Sequence, residues 1–162
     1  MPLTPLHPGP ALFLGSLFPS FFNYWALILG SVAMDIEPVA SVIIRGVTFH
    51  GPLHSILGAI VGSLIIAAIL RRFRKKLNSV SLKYKISQSF SFPVLFFSSL
   101  VAWLFHIFFD SLSHVTIRPF WPLEYNPILI GPPIYWPLNL ILLISGIIAL
   151  ILIYRQHKKH PY

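Results

Sequence analysis

Three ionisable side chains recur every four residues in FHIFFDSLSH, the segment from Phe105 to His114 that ends a long apolar run. They are His106, Asp110 and His114. In a helix this spacing places them on one face, with a rise of about 6 Å between neighbours. His106 and Asp110 therefore have the spacing of paired ligands to one metal ion. His106 and His114 would lie about 12 Å apart along a straight helix, so either Asp110 bridges two ions or His114 contacts a ligand or the substrate.

Two other segments contain residue types that bind divalent metals. Asp35 and Glu37 end an apolar run in VAMDIEPV, and His50 and His54 open the next run in FHGPLHS. A charged side chain near the centre of a bilayer costs at least about 2.5–3.5 kcal/mol, so several at one depth indicate mutual pairing or a bound cation. The sequence has no cysteine, so metal ligands must be nitrogen and oxygen atoms.

Simpler roles are open for the same residues. Asp35 could pair with Arg45, and Asp110 could pair with Arg118. A single histidine on an apolar face, such as His7, is more often a hydrogen-bonded polar group than a ligand. A shared depth in the membrane is what favours a polar functional centre over these separate roles.

The composition indicates what must position these residues. Hydrophobic residues make up 56% of the 162-residue chain and charged residues only 10%, whereas about 25% of the residues in a soluble domain are charged. Several apolar runs approach the roughly 20 residues that a helix needs to cross a bilayer. The sequence therefore predicts an integral membrane protein.

The apolar pattern predicts an all-α, polytopic helix bundle that forms a single domain. We expect helices at about 10–18, 21–36, 52–76, 90–113 and 134–156. The last three contain clear membrane spans, and the first two form either one broken crossing or a helical hairpin. One crossing would place His7 on the cytoplasmic side, whereas a hairpin would return it to the outer side with the other histidines. Gly58 and Gly62 are expected to allow close helix packing.

The charge distribution predicts an orientation. The formal net charge is +8, and ten of the twelve Lys and Arg residues lie within 71–85 and 155–159. The positive-inside rule places the 71–89 loop and the C-terminus in the cytoplasm and the 113–133 loop outside. All four acidic residues then lie near the outer face, while His157 and His160 belong to a solvated basic tail. No groove-reading motif accompanies the charge, so no nucleic-acid partner is expected.

These motifs resemble those of the YdjM-like family of predicted membrane-bound, metal-dependent hydrolases, in a short form. That family has an N-terminal His, an acidic pair ending a helix, an HRGxTHS segment and a later HxxxDxxT segment. The counterparts here, in the same order, are His7, Asp35 with Glu37, HGPLHS with His50, His54 and Ser55, and His106 with Asp110 and Ser113. The histidine-rich segment is one residue shorter, lacks the arginine and has Leu53 in place of threonine, and Ser113 replaces the last threonine.

The residues and the resemblance together suggest a metal-dependent hydrolase that opens to the outer membrane face. His54, His106 and Asp110 would be the main ligands of a divalent metal, zinc first and manganese as the alternative, while Asp35 and His50 complete one or two sites. The resemblance adds His7. Glu37 or His114 would act as general base.

The expected substrate is an amphiphile, such as a phospholipid or an isoprenoid phosphate, and the expected partners are membrane lipids. Arg45 and Arg118 are the only cations on the predicted outer side, and the helix start at Pro52 favours anions.

Two other classes of function compete with the hydrolase. Intramembrane His and Asp residues also build proton or ion paths, although the cytoplasmic halves of ILGAIVGSLIIAAIL and ISGIIALILIY offer almost no polar groups for one. A structural subunit could instead use the same cluster only to hold its helices together.

Overall fold

A computed structural model describes residues 4–159, and over that range the protein contains helices and turns but no strand. The seven α-helices are α1 (Pro8–Leu17), α2 (Tyr24–Val32), α3 (Ile36–Arg45), α4 (Ile56–Arg72), α5 (Arg74–Lys83), α6 (Phe92–Ser113) and α7 (Tyr135–Lys159). Short 3-10 turns occupy Thr4–Leu6, Ala33–Asp35, Pro52–His54 and Pro132–Ile134. The predicted all-helical class is confirmed. His160 lies outside the described residues, and the side chain of His157 is not described either.

Three helical stretches are long and apolar enough to cross a membrane: Tyr24–Arg45, Phe92–Ser113 and Pro132–Gln156. The first joins α2 and α3 through the 3-10 turn between them. A fourth span is formed if α4 and α5 are counted together, although they meet at a bend of 76°. The apolar spans agree with an integral membrane protein.

The N-terminal region forms a helical hairpin, which is one of the two arrangements that the sequence left open. The α1 helix has only 10 residues, and after a turn at 18–23 the chain returns along α2, which packs against α1. Because His7 precedes α1 and Asp35 follows α2, the hairpin brings both to the same end of the bundle. His7 thus lies with the other histidines.

Two predicted helices have different bounds in the structure. The helix expected at 21–36 begins only at Tyr24, because the Asn23 side chain caps it by accepting from the backbone N–H of Ala26. Helical structure then continues to Arg45, since Pro38 lies in the first turn of α3, where no intrahelical N–H is needed.

The helix expected at 52–76 is instead a 3-10 turn followed by α4 and α5. The side chain of Ser55 caps α4 by accepting from the N–H of Gly58 at 3.1 Å. Helical structure thus begins at Pro52 as predicted, but as a 3-10 turn, and the α-helix starts four residues later, at Ile56. The bend after Arg72 lets Leu77 of α5 pack on the core, so most of the predicted 71–89 loop is also helix.

The core is built around α6, which packs against α2 and α4, while α1 packs mainly against α7. Small residues set the closest approaches. Gly62 of α4 faces the indole ring of Trp103, and a Cβ there would overlap the ring. Gly30 of α2 faces the backbone of Ser99, and its Cβ would lie 2.7 Å from the Ser99 Cα.

We expect Gly30→Ala to destabilise the protein. The new methyl group would meet backbone atoms of Ser99, so α2 and α6 must separate, and overpacking of this kind costs about 1–3 kcal/mol. The apparent melting temperature in detergent should fall by about 2–4 °C per kcal/mol. Gly146→Ala is the control, because its Cβ would meet only the Gly9 Cα, at 3.5 Å. Equal melting temperatures for the two variants would contradict this packing.

Candidate metal centre

Six buried ionisable residues from four parts of the chain meet at one end of the bundle. We call them the His–Asp cluster: His7, Asp35, His50, His54, His106 and Asp110. None of the six is more than 7% exposed. His7 precedes α1, Asp35 ends the 3-10 turn after α2, His50 precedes the 3-10 turn before α4, and His54 ends that turn. His106 and Asp110 lie one turn apart on α6, as their spacing predicts.

The carboxylates lie between the imidazole rings. Asp110 Oδ1 is 3.1 Å from His7 Nε2, and Asp110 Oδ2 is 3.2 Å from His106 Nε2. Asp35 Oδ1 is 3.4 Å from His106 Nε2 and 3.7 Å from His54 Nε2. The His7 and His106 rings also stack, with centroids 3.8 Å apart. Each carboxylate thus contacts two histidines from different segments.

These residues form three overlapping groups that could hold a metal ion. The groups are His7–His106–Asp110, Asp35–His54–His106 and His50–His54–Asp110, and within each the ligand atoms lie within 4.8 Å of one another. Asp110, His106 and His54 each belong to two groups. The overlap is compatible with one ion or with two neighbouring ions that share ligands.

Three histidines are oriented through Nδ1. His106 Nδ1 lies 2.6 Å from the backbone carbonyl of Ser31, His54 Nδ1 lies 3.1 Å from Glu37 Oε2, and His50 Nδ1 lies 2.8 Å from Thr116 Oγ1. Such contacts fix the ring and leave Nε2 for a metal, as in many metal-binding histidines.

The Nε2 atoms of His50, His54 and His106 are buried, and none meets the geometry of a hydrogen bond with a described residue, although carboxylate oxygens lie 3.2–3.7 Å from those of His54 and His106. Asp35 Oδ2 is buried and unpaired in the same sense. Buried polar atoms are normally satisfied, so four buried nitrogen and oxygen atoms without a well-aligned hydrogen bond in one cluster fit a bound cation. One divalent ion would also balance the charges of Asp35 and Asp110, which are costly to bury uncompensated.

The protonation state of His50, which lies beside the 3-10 turn before α4, also suits a metal ligand. Burial lowers the pKa of His50 to about 4, so this ring is neutral at neutral pH, as metal binding requires. His114, which follows α6, likewise has a pKa lowered by burial. Both rings therefore offer lone pairs.

Glu37 and Trp103 shape the turn that carries His54. Glu37 accepts hydrogen bonds from the N–H groups of Gly51 at 2.8 Å and Leu53 at 3.3 Å, in addition to its contact with His54. The indole N–H of Trp103 donates to the carbonyl of Leu53 at 2.9 Å. Both oxygens of Glu37 are thus engaged, which favours a positioning role.

The remaining predicted site residues lie around the cluster. The His114 ring centroid is 5.5 Å from that of His50, and its buried Nε2 makes no hydrogen bond with a described residue. Arg45 is exposed and lies over the Phe49 ring. Arg118 is exposed and pairs with Glu124.

The simpler pairings of Asp35 with Arg45 and of Asp110 with Arg118 are not observed among residues 4–159, because both carboxylates contact histidines instead. His7 is hydrogen-bonded to Asp110 at 3.1 Å, which is compatible with the simpler role as well as with metal binding, and the contact makes it part of the same cluster.

The sequence did not reveal three contacts that orient the site. Trp103 lies within an apolar run of the sequence, where only its indole N–H hinted at a polar partner. Thr116 and the carbonyl of Ser31 carry no signal in the sequence, because any residue supplies a carbonyl and many loops contain threonine.

Comparison with known proteins gives one match. The model of the family described as "YdjM inner membrane protein" matches residues 7–161, nearly the whole chain. The match begins at His7 and includes every residue of the His–Asp cluster. No curated protein and no solved structure matches the chain significantly.

Proposed function

The chain belongs to the YdjM inner membrane protein family, and from its His–Asp cluster we propose that it is a membrane-embedded, metal-dependent hydrolase. The observation that carries this proposal is the convergence of buried His and Asp side chains into three overlapping groups, within each of which the ligand atoms lie within 4.8 Å of one another. A cluster that only held helices together would be expected to pair all its buried nitrogens, because an unsatisfied buried polar group costs about 1–3 kcal/mol, whereas His50 Nε2 makes no hydrogen bond with a described residue.

The ligands would be shared among the overlapping groups. His54, His106 and Asp110 are the main ligands, and Asp35, His50 and His7 complete one or two sites. Nitrogen with carboxylate oxygen suits zinc, with manganese as the alternative. When bound, such an ion lowers the pKa of a water molecule and polarises the bond to be cleaved.

The chain's own residues would orient the ligands and move the proton. Glu37 holds the His54 ring and the backbone of the preceding turn, so we assign it a positioning role instead of the role of general base. His114 is the better candidate base: its Nε2 is free of hydrogen bonds to described residues, and the side chain is only partly buried. It would accept a proton from the attacking water.

An amphiphilic ester or phosphoester is the proposed substrate. An apolar groove of about 200 Å³ runs between the start of α4, the outer half of α6 and the following loop. Ile107 and Ser111 line this groove and directly follow His106 and Asp110 in the chain. A hydrocarbon chain in the groove would bring its polar end close to the cluster.

The positive-inside rule supports placing the cluster toward the outer face, since the Lys- and Arg-rich segments lie at the opposite end of the bundle. Arg118, although paired with Glu124, remains the nearest candidate in the outer loop for an anionic headgroup. Arg45 at the end of α3 would contact headgroups farther out.

The test is elemental analysis of detergent-purified protein, followed by assays on phospholipid and isoprenoid phosphate substrates with and without chelator. We expect about one or two equivalents of zinc or manganese and cleavage that the chelator abolishes. His114→Gln should keep the metal and lose about 10²-fold in kcat, the usual range for a general base. Fully metal-loaded protein that cleaves no lipid ester or phosphoester would overturn the hydrolase proposal.

A proton path is the second candidate, favoured by buried serines that continue from the cluster into the other half of the bundle. Ser63, Ser98 and Ser99 are fully buried, so this half is less apolar than the sequence suggested. However, the Ser99 hydroxyl donates to backbone carbonyls, which helix packing explains. Proton flux in proteoliposomes without any hydrolysis would favour the path.

A further inference from the structure

We propose that the bend between α4 and α5 is a binding site for the headgroups of anionic phospholipids. This basic bend comprises the six cations Arg71, Arg72, Arg74, Lys75, Lys76 and Lys83 together with Phe73. The site lies at the end of α4 remote from the His–Asp cluster, and it is independent of the hydrolase proposal.

Charge is strongly segregated at the basic bend. All six cations are exposed, and none forms an ion pair with another residue in the range 4–159. The sequence contains no acidic residue between Glu37 and Asp110. Only Arg74 makes a side-chain hydrogen bond there, to the carbonyl of Arg71 at 3.2 Å. No carboxylate of the surrounding segment therefore compensates the positive charge of the basic bend.

The bend holds these cations in a fixed place. The α5 helix is anchored to the bundle, since Leu77 packs on the core and the indole N–H of Trp25 donates to Ser81 Oγ at 2.9 Å. With a bend of 76°, α5 lies nearly parallel to the membrane plane if α4 crosses it. The basic residues then line the level of the lipid headgroups.

An open groove of about 340 Å³ lies at the bend, lined by the consecutive residues 72–76. Its walls combine two arginines and two lysines with the aromatic ring of Phe73, which is 56% exposed. Guanidinium groups bind phosphate through two parallel hydrogen bonds, and an exposed ring beside them suits acyl chains. The groove thus matches a lipid phosphate attached to a hydrocarbon tail better than a free phosphate.

The experiment measures binding of dioctanoyl phosphatidylglycerol to the full chain in nonionic detergent by native mass spectrometry. A Lys or Arg that faces the bound headgroup contributes roughly fivefold in affinity for anionic lipid. Arg74→Gln/Lys75→Gln should therefore weaken binding by about tenfold or more. The matched control is Arg155→Gln/Lys158→Gln, which removes two charges from the C-terminal end of α7. It should retain nearly native affinity.

Two further arms separate the possible ligands. Dioctanoyl phosphatidylcholine should bind more weakly than dioctanoyl phosphatidylglycerol. Inorganic phosphate at millimolar concentration should not displace the bound phosphatidylglycerol. Raising the salt from about 50 to about 500 mM should release the lipid from the unmutated protein, because exposed charges are screened. Equal affinities of the two double variants, full displacement by phosphate, or salt-independent binding would each overturn the proposal.

Discussion

Asp110→Asn is expected to remove the bound metal from the purified protein. The substitution keeps the size of the side chain but eliminates the carboxylate that belongs to two of the three ligand groups. Changes in residues that only orient ligands cost about 10–100-fold in metal affinity, so loss of a shared ligand should cost more than about 100-fold. Elemental analysis and competition with a chelator measure this effect.

The control for Asp110→Asn is Glu124→Gln, which also removes one carboxylate from the outer end. Glu124 is exposed and pairs with Arg118, so this variant should keep its full metal content. His106→Gln, which removes another shared ligand, should reproduce the loss. Metal that persists at native stoichiometry in both ligand variants would show that the His–Asp cluster does not hold it.

Glu37→Gln is expected to weaken metal binding by about 10–100-fold, the range for groups that orient a ligand. The amide can still accept a backbone N–H through its oxygen, but its NH₂ group cannot accept from His54 Nδ1. The ring should then lose its fixed orientation, although it stays in the same turn. The measurement is the metal dissociation constant, determined against a chelator of known affinity.

This experiment separates two roles for Glu37. A positioning residue lowers metal affinity when changed, whereas a general base lowers kcat and leaves metal affinity intact. The control is Ser41→Ala, which removes a side-chain hydrogen bond from the same helix, to the carbonyl of Val47 at 2.8 Å, without touching a histidine. Native metal affinity in Glu37→Gln together with lost turnover would restore the general-base hypothesis.

Metal binding is also expected to couple to the fold, because the cluster joins the N-terminal hairpin, the turn before α4 and the outer half of α6. Ligands that bind only the folded state stabilise it by an amount that grows with the logarithm of their concentration over Kd. The cluster therefore links a functional site to the arrangement of the helices around α6.

The sequence by itself determined the class of the protein, and it pointed to the residues that the structure brings together in the His–Asp cluster. An apolar composition with few charges is compatible only with burial in a membrane, so the spans around α6 and α7 followed directly. The four-residue spacing of His106 and Asp110 is a local property of one helix, and the structure places them on one face as expected. The family resemblance could likewise be drawn from the order of short motifs.

The tertiary structure decided what depends on contacts distant in sequence. Whether His7 joins the cluster depends on the hairpin of α1 and α2. The sequence could not decide this, because the segment 11–34 is long enough either to cross the membrane once or to form a hairpin. The bend at Phe73 and the continuation of α3 past Pro38 depend on packing and capping. These contacts decide where helices begin, bend and end, which the hydropathy pattern alone does not show. Asp110 meets His7 across 103 residues, and Trp103 meets the carbonyl of Leu53 across 50. Local spacing encodes which groups share a helix face, whereas only the packed bundle determines which faces meet.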